Sequence, residues 1–166
     1  MKTENSPLKI KEITDAIRMN GKTVGFVPTM GALHEGHLKL VEEASSATDF
    51  TVVSIFVNPT QFGPNEDFDK YPRTIEEDLL KLKKMNVDLV FIPTVKDMYG
   101  DGALTVVSVK KITDGLCGAK RENHFDGVAT VVLKLFNIIG ECSAFFGKKD
   151  YQQLQVIKQM VKDLNV

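Results

Sequence analysis

The chain has 166 residues, 43% of them hydrophobic and 26% charged, with a formal net charge of −1. That size makes one domain with a proper hydrophobic core, and the composition is that of an ordinary soluble globular protein. The near-zero charge argues against a nucleic-acid or anionic-membrane surface, and two cysteines fit neither a disulfide framework nor a four-ligand zinc motif. No apolar segment approaches the roughly 20 residues of a membrane span. The opening residues MKTENSPLKIKE lack a signal-peptide apolar region, so the expected location is the reducing cytoplasm.

Residues 8–19 carry Leu8, Ile10, Ile13, Ala16, Ile17 and Met19 in a helix-like pattern, closed by Asn20-Gly21. Val24 to Val27 form an apolar run too short for a helix and suited to a buried strand, with Pro28 stopping the ladder. Gly31 and Gly36 permit a sharp turn and close approach to a ligand. A helix follows from about Gly36, with Leu38, Leu40, Val41 and Ala44 at its spacing. A strand, turn and helix N-terminus in this order aim free N–H groups and a positive dipole end at an anion. His34 and His37 add two proton-capable donors on one face of that turn.

Residues 51–59, TVVSIFVNP, read as a second strand ending at proline, and 60–74 as a long loop of the size that is usually functional or disordered. Thr74 is expected to cap a helix with an acidic first turn. Residues 87–93 form a third buried strand, 95–101 a loop, and 104–109, LTVVSV, another strand. Residues 113–127 are polar and glycine-rich. The apolar segment 127–140 reads as a buried helix, 143–147 as a short buried strand, and 150–164 as an amphipathic helix with Asp150 as N-cap. These β-then-α units predict an α/β fold, a Rossmann-like mainly parallel sheet with helices on both faces. Ligands gather at the carboxyl ends of such strands, where Pro28 to His37, Asn58 to Gln61, and Gly147 to Asp150 all lie.

Four blocks carry a resemblance: PTMGALHEGH (28–37), SIFVNPTQFGPNEDFDKYPRT (54–74), HFDGVATVV (124–132) and FFGKKDYQQL (145–154). Together they resemble the pantothenate synthetase (pantoate–β-alanine ligase) family of the His-x-Gly-His nucleotidyltransferases. The likeness spans nearly the whole chain from about Lys22. It implies a Rossmann-like domain binding ATP and pantoate over 1–166, and a homodimer. It also implies a two-step reaction: pantoate and ATP give pantoyl adenylate and pyrophosphate, then β-alanine displaces AMP, with Mg²⁺ assisting.

By the same resemblance His37 donates a proton, with His34 and Lys149 as the other catalytic residues. Pro28, Thr29, Met30, Gly31, Ala32, Leu33, His34, Glu35, Gly36 and His37 would line ATP, together with Gly147, Lys148, Lys149 and Asp150. Asp150 is the candidate metal ligand. Gln61 and Gln153 would hold pantoate, Gln61 also lying near β-alanine, with Asn58 and Tyr71 as further candidates for these acids. The 60–73 loop would act as a lid excluding water from the acyl adenylate. The chemistry agrees, because phosphoryl transfer is catalysed mainly by positioning and charge neutralisation.

Taken singly, these residues have plainer readings. The two histidines could be a surface pair, or zinc ligands with His124 as the only further histidine. Lys148 and Lys149 could be a solvated pair, the glutamines of the last helix its ordinary surface, and His124 a structural residue. Cys117 and Cys142 read as inert packing residues. Two departures from the family stand out: residue 148 is lysine where glutamate is expected, and a second phosphate motif resembling Met-Ser-Ser-Arg-Asn is absent, with the C-terminal domain. The expectation is a folded N-terminal domain with weakened nucleotide binding and little synthesis. Another His-x-Gly-His nucleotidyltransferase, or a non-catalytic nucleotide-binding module, are the alternatives.

Overall fold

The computed structural model describes residues 1–63, 66 and 68–166, so that Pro64, Asn65 and Asp67, inside the expected lid, lie outside the described residues. The strands are β1 (Lys2–Glu4), β2 (Val24–Thr29), β3 (Phe50–Ile55), β4 (Leu89–Phe91) and β5 (Ser143–Ala144). They form one parallel sheet in the order β1-β4-β3-β2-β5. The helices are α1 (Pro7–Met19), α2 (Glu35–Ala47), α3 (Ile75–Lys83), α4 (Val95–Tyr99), α5 (His124–Ile139) and α6 (Tyr151–Leu164). Short 3₁₀ turns at Pro59–Gln61 and Lys148–Asp150 follow β3 and β5.

Period-two alternation along the buried strands splits the core in two. Phe26, Val52, Leu89 and Phe91 point to one face, where α5 and α6 bring Val128, Leu135, Ile139, Val156 and Met160. Val27, Val53 and Val90 point to the other and meet Val41 and Ala44 of α2 and Leu82 of α3. The α/β sandwich expected from the pattern is therefore present. From β2 the chain crosses through α2 to β3, and it later returns through α5 to β5 on the other side of β2. The switch point of the sheet lies between β2 and β5.

Several local expectations are corrected. β2 does not stop at Pro28 but pairs with β3 as far as Thr29 opposite Ile55. Phe26 O accepts from Phe145 N, so alternation turns Pro28, two residues on, toward the β5 side, where the strand has already ended at Ala144 and no amide is needed. Residues 104–109 form no strand: Leu104 and Val106 are exposed, Val109 is buried, and Val107 N donates to Thr130 Oγ1 instead of a ladder carbonyl. Residues 95–99, read as loop, form α4, because Thr94 and Asp97 close a capping box. β5 is an exposed edge rather than a buried strand. In α1 the buried positions are Ile10 and Thr14, whereas Leu8, Ala16 and Met19 face solvent. Neither Thr74 nor Asp150 caps its helix by its side chain.

Candidate active site

The turn between β2 and α2 is shaped from below. Gly31 and Ala32 both take positive φ, 85° and 50°, and a Cβ on Gly31 would lie 3.1 Å from Ile55 Cγ2 and 3.2 Å from Asp78 Oδ2. Asp78, fully buried on α3, accepts from Ala32 N and Leu33 N at 2.8 Å each and from Thr74 Oγ1 at 3.2 Å. Lys81, one turn later, donates to Leu33 O at 2.7 Å. The hydroxyl of Thr74 donates to Asp78 and accepts from no amide of the helix it precedes.

Most amides of this turn are already engaged within the protein. Gly31 N donates to Thr29 Oγ1, Gly36 N to His34 Nδ1 at 3.1 Å, and His34 N to His37 Nδ1 at 3.4 Å. The two histidines cap α2 reciprocally, their ring centroids 4.1 Å apart. Gly36 is needed there, since a Cβ would stand 3.0 Å from the His34 ring. Because both Nδ1 atoms accept, each neutral ring carries its proton on Nε2. The donors offered above the helix N-terminus are therefore imidazole Nε2–H groups, with the helix dipole behind them.

Burial lowers the His37 pKa below its usual 6.5; His34 and Lys149 lower it further, and Asp78 and Asp150 oppose them. Lys149 and Asp150 thus lie within electrostatic reach of the histidines, as the adjacency of β2 and β5 requires. Gly147 faces Leu40 of α2, its Cβ position 4.0 Å from Leu40 Cδ1. Lys148, Lys149 and Asp150 are exposed, and among the described residues none of the three side chains makes a hydrogen bond or ion pair. Gln153, on the first turn of α6, is half-buried and likewise without a hydrogen bond among the described residues.

The exit of β3 is built differently. Asn58 and Gln61 are buried, and Asn58 Nδ2 donates to Gln61 Oε1 at 3.0 Å and to Gly127 O at 3.2 Å. Gly127 lets α5 press against this turn, for a Cβ there would run into the carbonyl of Thr60. The carbonyl of Gln61 accepts from His124 Nδ1 at 2.9 Å, and Arg121 donates to His124 Nε2 at 3.0 Å. Arg121 also clasps Glu66 through two nitrogens, at 2.5 and 2.8 Å, and holds the Glu66 carboxyl down at about 2. Both ring nitrogens of His124 are committed, and burial lowers its pKa, with Arg121 adding to the effect against Gln61, Glu66 and Asp150. Asp150 thus acts on His37 and His124 alike, which links the exits of β2, β3 and β5.

The sequence-chosen residues therefore divide. His34, His37, Lys149 and Asp150 share one electrostatic neighbourhood, and Gln61 joins it through His124. Ala32 and Leu33 have their amides held by Asp78, and Asn58 has its amide wholly engaged. Tyr71 packs edge-on to Phe62, 5.8 Å between centroids, and burial raises its phenol pKa. Met30 and Gly31 line an apolar cavity of about 300 Å³ beside the exits of β2, β3 and β4. Asp78, Arg121 and Tyr99 were missed, since each acts across 40 residues or more of chain and local pattern gives no sign of it. Among the described residues no three His, Cys, Asp or Glu side chains group to hold a metal ion, and no helix is long and apolar enough to cross a membrane.

Comparison with known proteins agrees on one family. The sequence profile described as Pantoate-beta-alanine ligase matches residues 2–166. The chain is 63% identical to a pantothenate synthetase of Caldicellulosiruptor saccharolyticus over 95% of its own length and 56% of that protein's. It is 58% identical to one from Acinetobacter baumannii, covering 100% of this chain and 59% of that one. Among solved structures, the pantothenate synthetase of Thermus thermophilus superposes with a TM-score of 0.94 at 48% identity, over 99% of this chain and 58% of that one. The pantoate-beta-alanine ligase of Francisella tularensis, complexed with beta-gamma ATP and beta-alanine, gives 0.94 at 43% identity, over 100% and 64%. The chain thus spans somewhat more than half the length of these relatives.

Proposed function

The chain belongs to the pantoate–β-alanine ligase family, and from that premise we propose that it binds ATP and pantoate in the crevice between the ends of β2 and β5. There the pantoate carboxylate attacks the α-phosphorus of ATP. The new P–O bond gives pantoyl adenylate as the bond to pyrophosphate breaks. The amine of β-alanine then attacks the acyl carbon, AMP leaves with the electron pair of the mixed anhydride, and the ammonium proton is lost.

The observation that carries this reading is the pair of imidazoles whose Nε2–H groups have no partner among the described residues, with Lys149, likewise unpaired among them, within electrostatic reach. His37 and His34 would donate to phosphate oxygens as charge passes to pyrophosphate, and Lys149 would add a fixed positive charge. His37, with its pKa lowered, acts as a neutral donor near pH 7. Gln61 and Gln153 would orient pantoate, and closure of the 60–73 loop would keep water from the anhydride.

Mg²⁺ fits the donor set: it commonly takes one or two carboxylates and completes its shell with phosphates and water, and the exposed Asp150 carboxylate has no hydrogen bond or ion pair among the described residues. Asp150 would hold the ion, which would offset triphosphate charge. A homodimer in the cytoplasm completes the proposal, on the strength of the family resemblance. Calorimetry with ATP and with pantoate, together with pantoate-dependent pyrophosphate release, tests it. Binding of both ligands is expected, with ATP weakened in His37→Ala and pantoate weakened in Gln61→Ala. Absence of binding for both would overturn the proposal for this chain.

A further inference from the structure

The orientation of the Gln61 amide is determined by groups that leave no choice. Thr60 N, which can only donate, points to Asn58 Oδ1 at 3.3 Å, and Gly127 O, which can only accept, takes a proton from Asn58 Nδ2 at 3.2 Å. The Asn58 amide is thereby locked, and its other Nδ2 proton must go to Gln61 Oε1 at 3.0 Å. Ser54 Oγ is the only buried side-chain polar atom without a partner among the described residues. Gln61 Nε2, which bonds none of them, is therefore not fully enclosed and remains available to a ligand.

The strongest grip on this lock comes from outside the turn. Three donors converge on Asn58 Oδ1, and the shortest is Tyr99 Oη at 2.8 Å, against 3.0 Å for Thr60 Oγ1 and 3.3 Å for Thr60 N. Tyr99 ends α4, packs against Phe56 at 6.3 Å and lies beneath Lys134 Nζ at 5.6 Å. Burial raises its phenol pKa, so the hydroxyl remains a donor across the physiological range.

We propose that Tyr99 is a positioning residue which, through Asn58, holds the Gln61 amide so that only its NH₂ end meets the substrate. Gln61 then accepts nothing from the ligand. It selects an oxygen acceptor, such as a carboxylate, and leaves a hydroxyl proton unsatisfied at that point. This rests on the reading that pantoate occupies the crevice.

Side-chain amide NMR on the free chain tests the relay without any ligand. In the wild type the Asn58 NH₂ protons should exchange slowly with solvent and those of Gln61 rapidly. Tyr99→Phe should accelerate Asn58 exchange and make the Gln61 amide more mobile without reversing it, with the backbone spectrum unchanged elsewhere. Pantoate titration then reads the consequence. Tyr99→Phe should weaken binding about fivefold, the worth of one neutral hydrogen bond. It should add nothing in a Gln61→Ala background. Unchanged Asn58 protection in Tyr99→Phe overturns the proposal, as does an equal loss of affinity with Gln61 absent, which marks a merely structural role. If Gln61→Ala binds pantoate like the wild type while the amide signature of Tyr99→Phe persists, the pantoate reading falls and the relay stands.

Discussion

Replacing Asp78 by asparagine alters one atom beneath the histidine turn. The carboxylate is fully buried, with Oδ2 accepting from Ala32 N and Thr74 Oγ1 and Oδ1 from Leu33 N. The new NH₂ does least harm in the Oδ1 position, where it still faces the Leu33 amide donor to donor. One charge-assisted hydrogen bond is lost, about 1.5–3 kcal/mol, and a buried N–H is stranded at about 1–3 kcal/mol more. The expected loss is roughly 3–5 kcal/mol, a large share of the roughly 5–15 kcal/mol that holds a domain together. For a chain of this size that lowers Tm by roughly 6–20 °C. Urea denaturation followed by circular dichroism should show a lower midpoint with the same slope. A loss below about 1 kcal/mol would refute the argument that this carboxylate shapes the turn.

Other outcomes follow from the same geometry. NMR titration should place His37 below 6.5, with Lys149→Ala moving its midpoint up and Asp150→Asn moving it down; no movement in either variant would mean that the exits of β2 and β5 do not meet. Since the unfolded chain binds this proton more tightly, His37 costs stability as pH falls below 6.5 and none above it. Glu66 should titrate at about 2, so its bond to Arg121 favours the fold above the unfolded value near 4.5 and is lost as pH falls through about 2; Arg121→Met should return the carboxyl toward 4.5 by NMR. Gly127→Ala forces a Cβ against the main-chain oxygen of Thr60 and should destabilise by about 1–3 kcal/mol in thermal melts, with the β3 exit displaced.

The parts of the fold legible in the sequence are those that local pattern controls. Val24–Thr29, Phe50–Ile55 and Leu89–Phe91 read as strands because they are short, rich in apolar and β-branched residues, and buried on both faces. The histidine turn was legible because strand, glycines and helix follow one another within fifteen residues. LTVVSV misleads because its valines suit a pleated surface but no neighbouring strand pairs with them among the described residues. Asp78 passed for one more acid in a helix's first turn, although its partners lie more than 40 residues away. Tyr99 fell in a segment read as loop, and Arg121 in a polar stretch without periodicity. The residues that position the site are bound to it by long-range hydrogen bonds, which no local period records.

The reciprocal histidine cap gives this crevice a polarity of its own. The inner nitrogen of each ring accepts from a main-chain amide, so that edge of each imidazole is committed to starting the helix. The rings can offer hydrogen bonds outward but cannot relay protons through to the interior. Fold and chemistry therefore draw on the same two rings: the nitrogens that begin the helix also fix which edge of each imidazole faces outward.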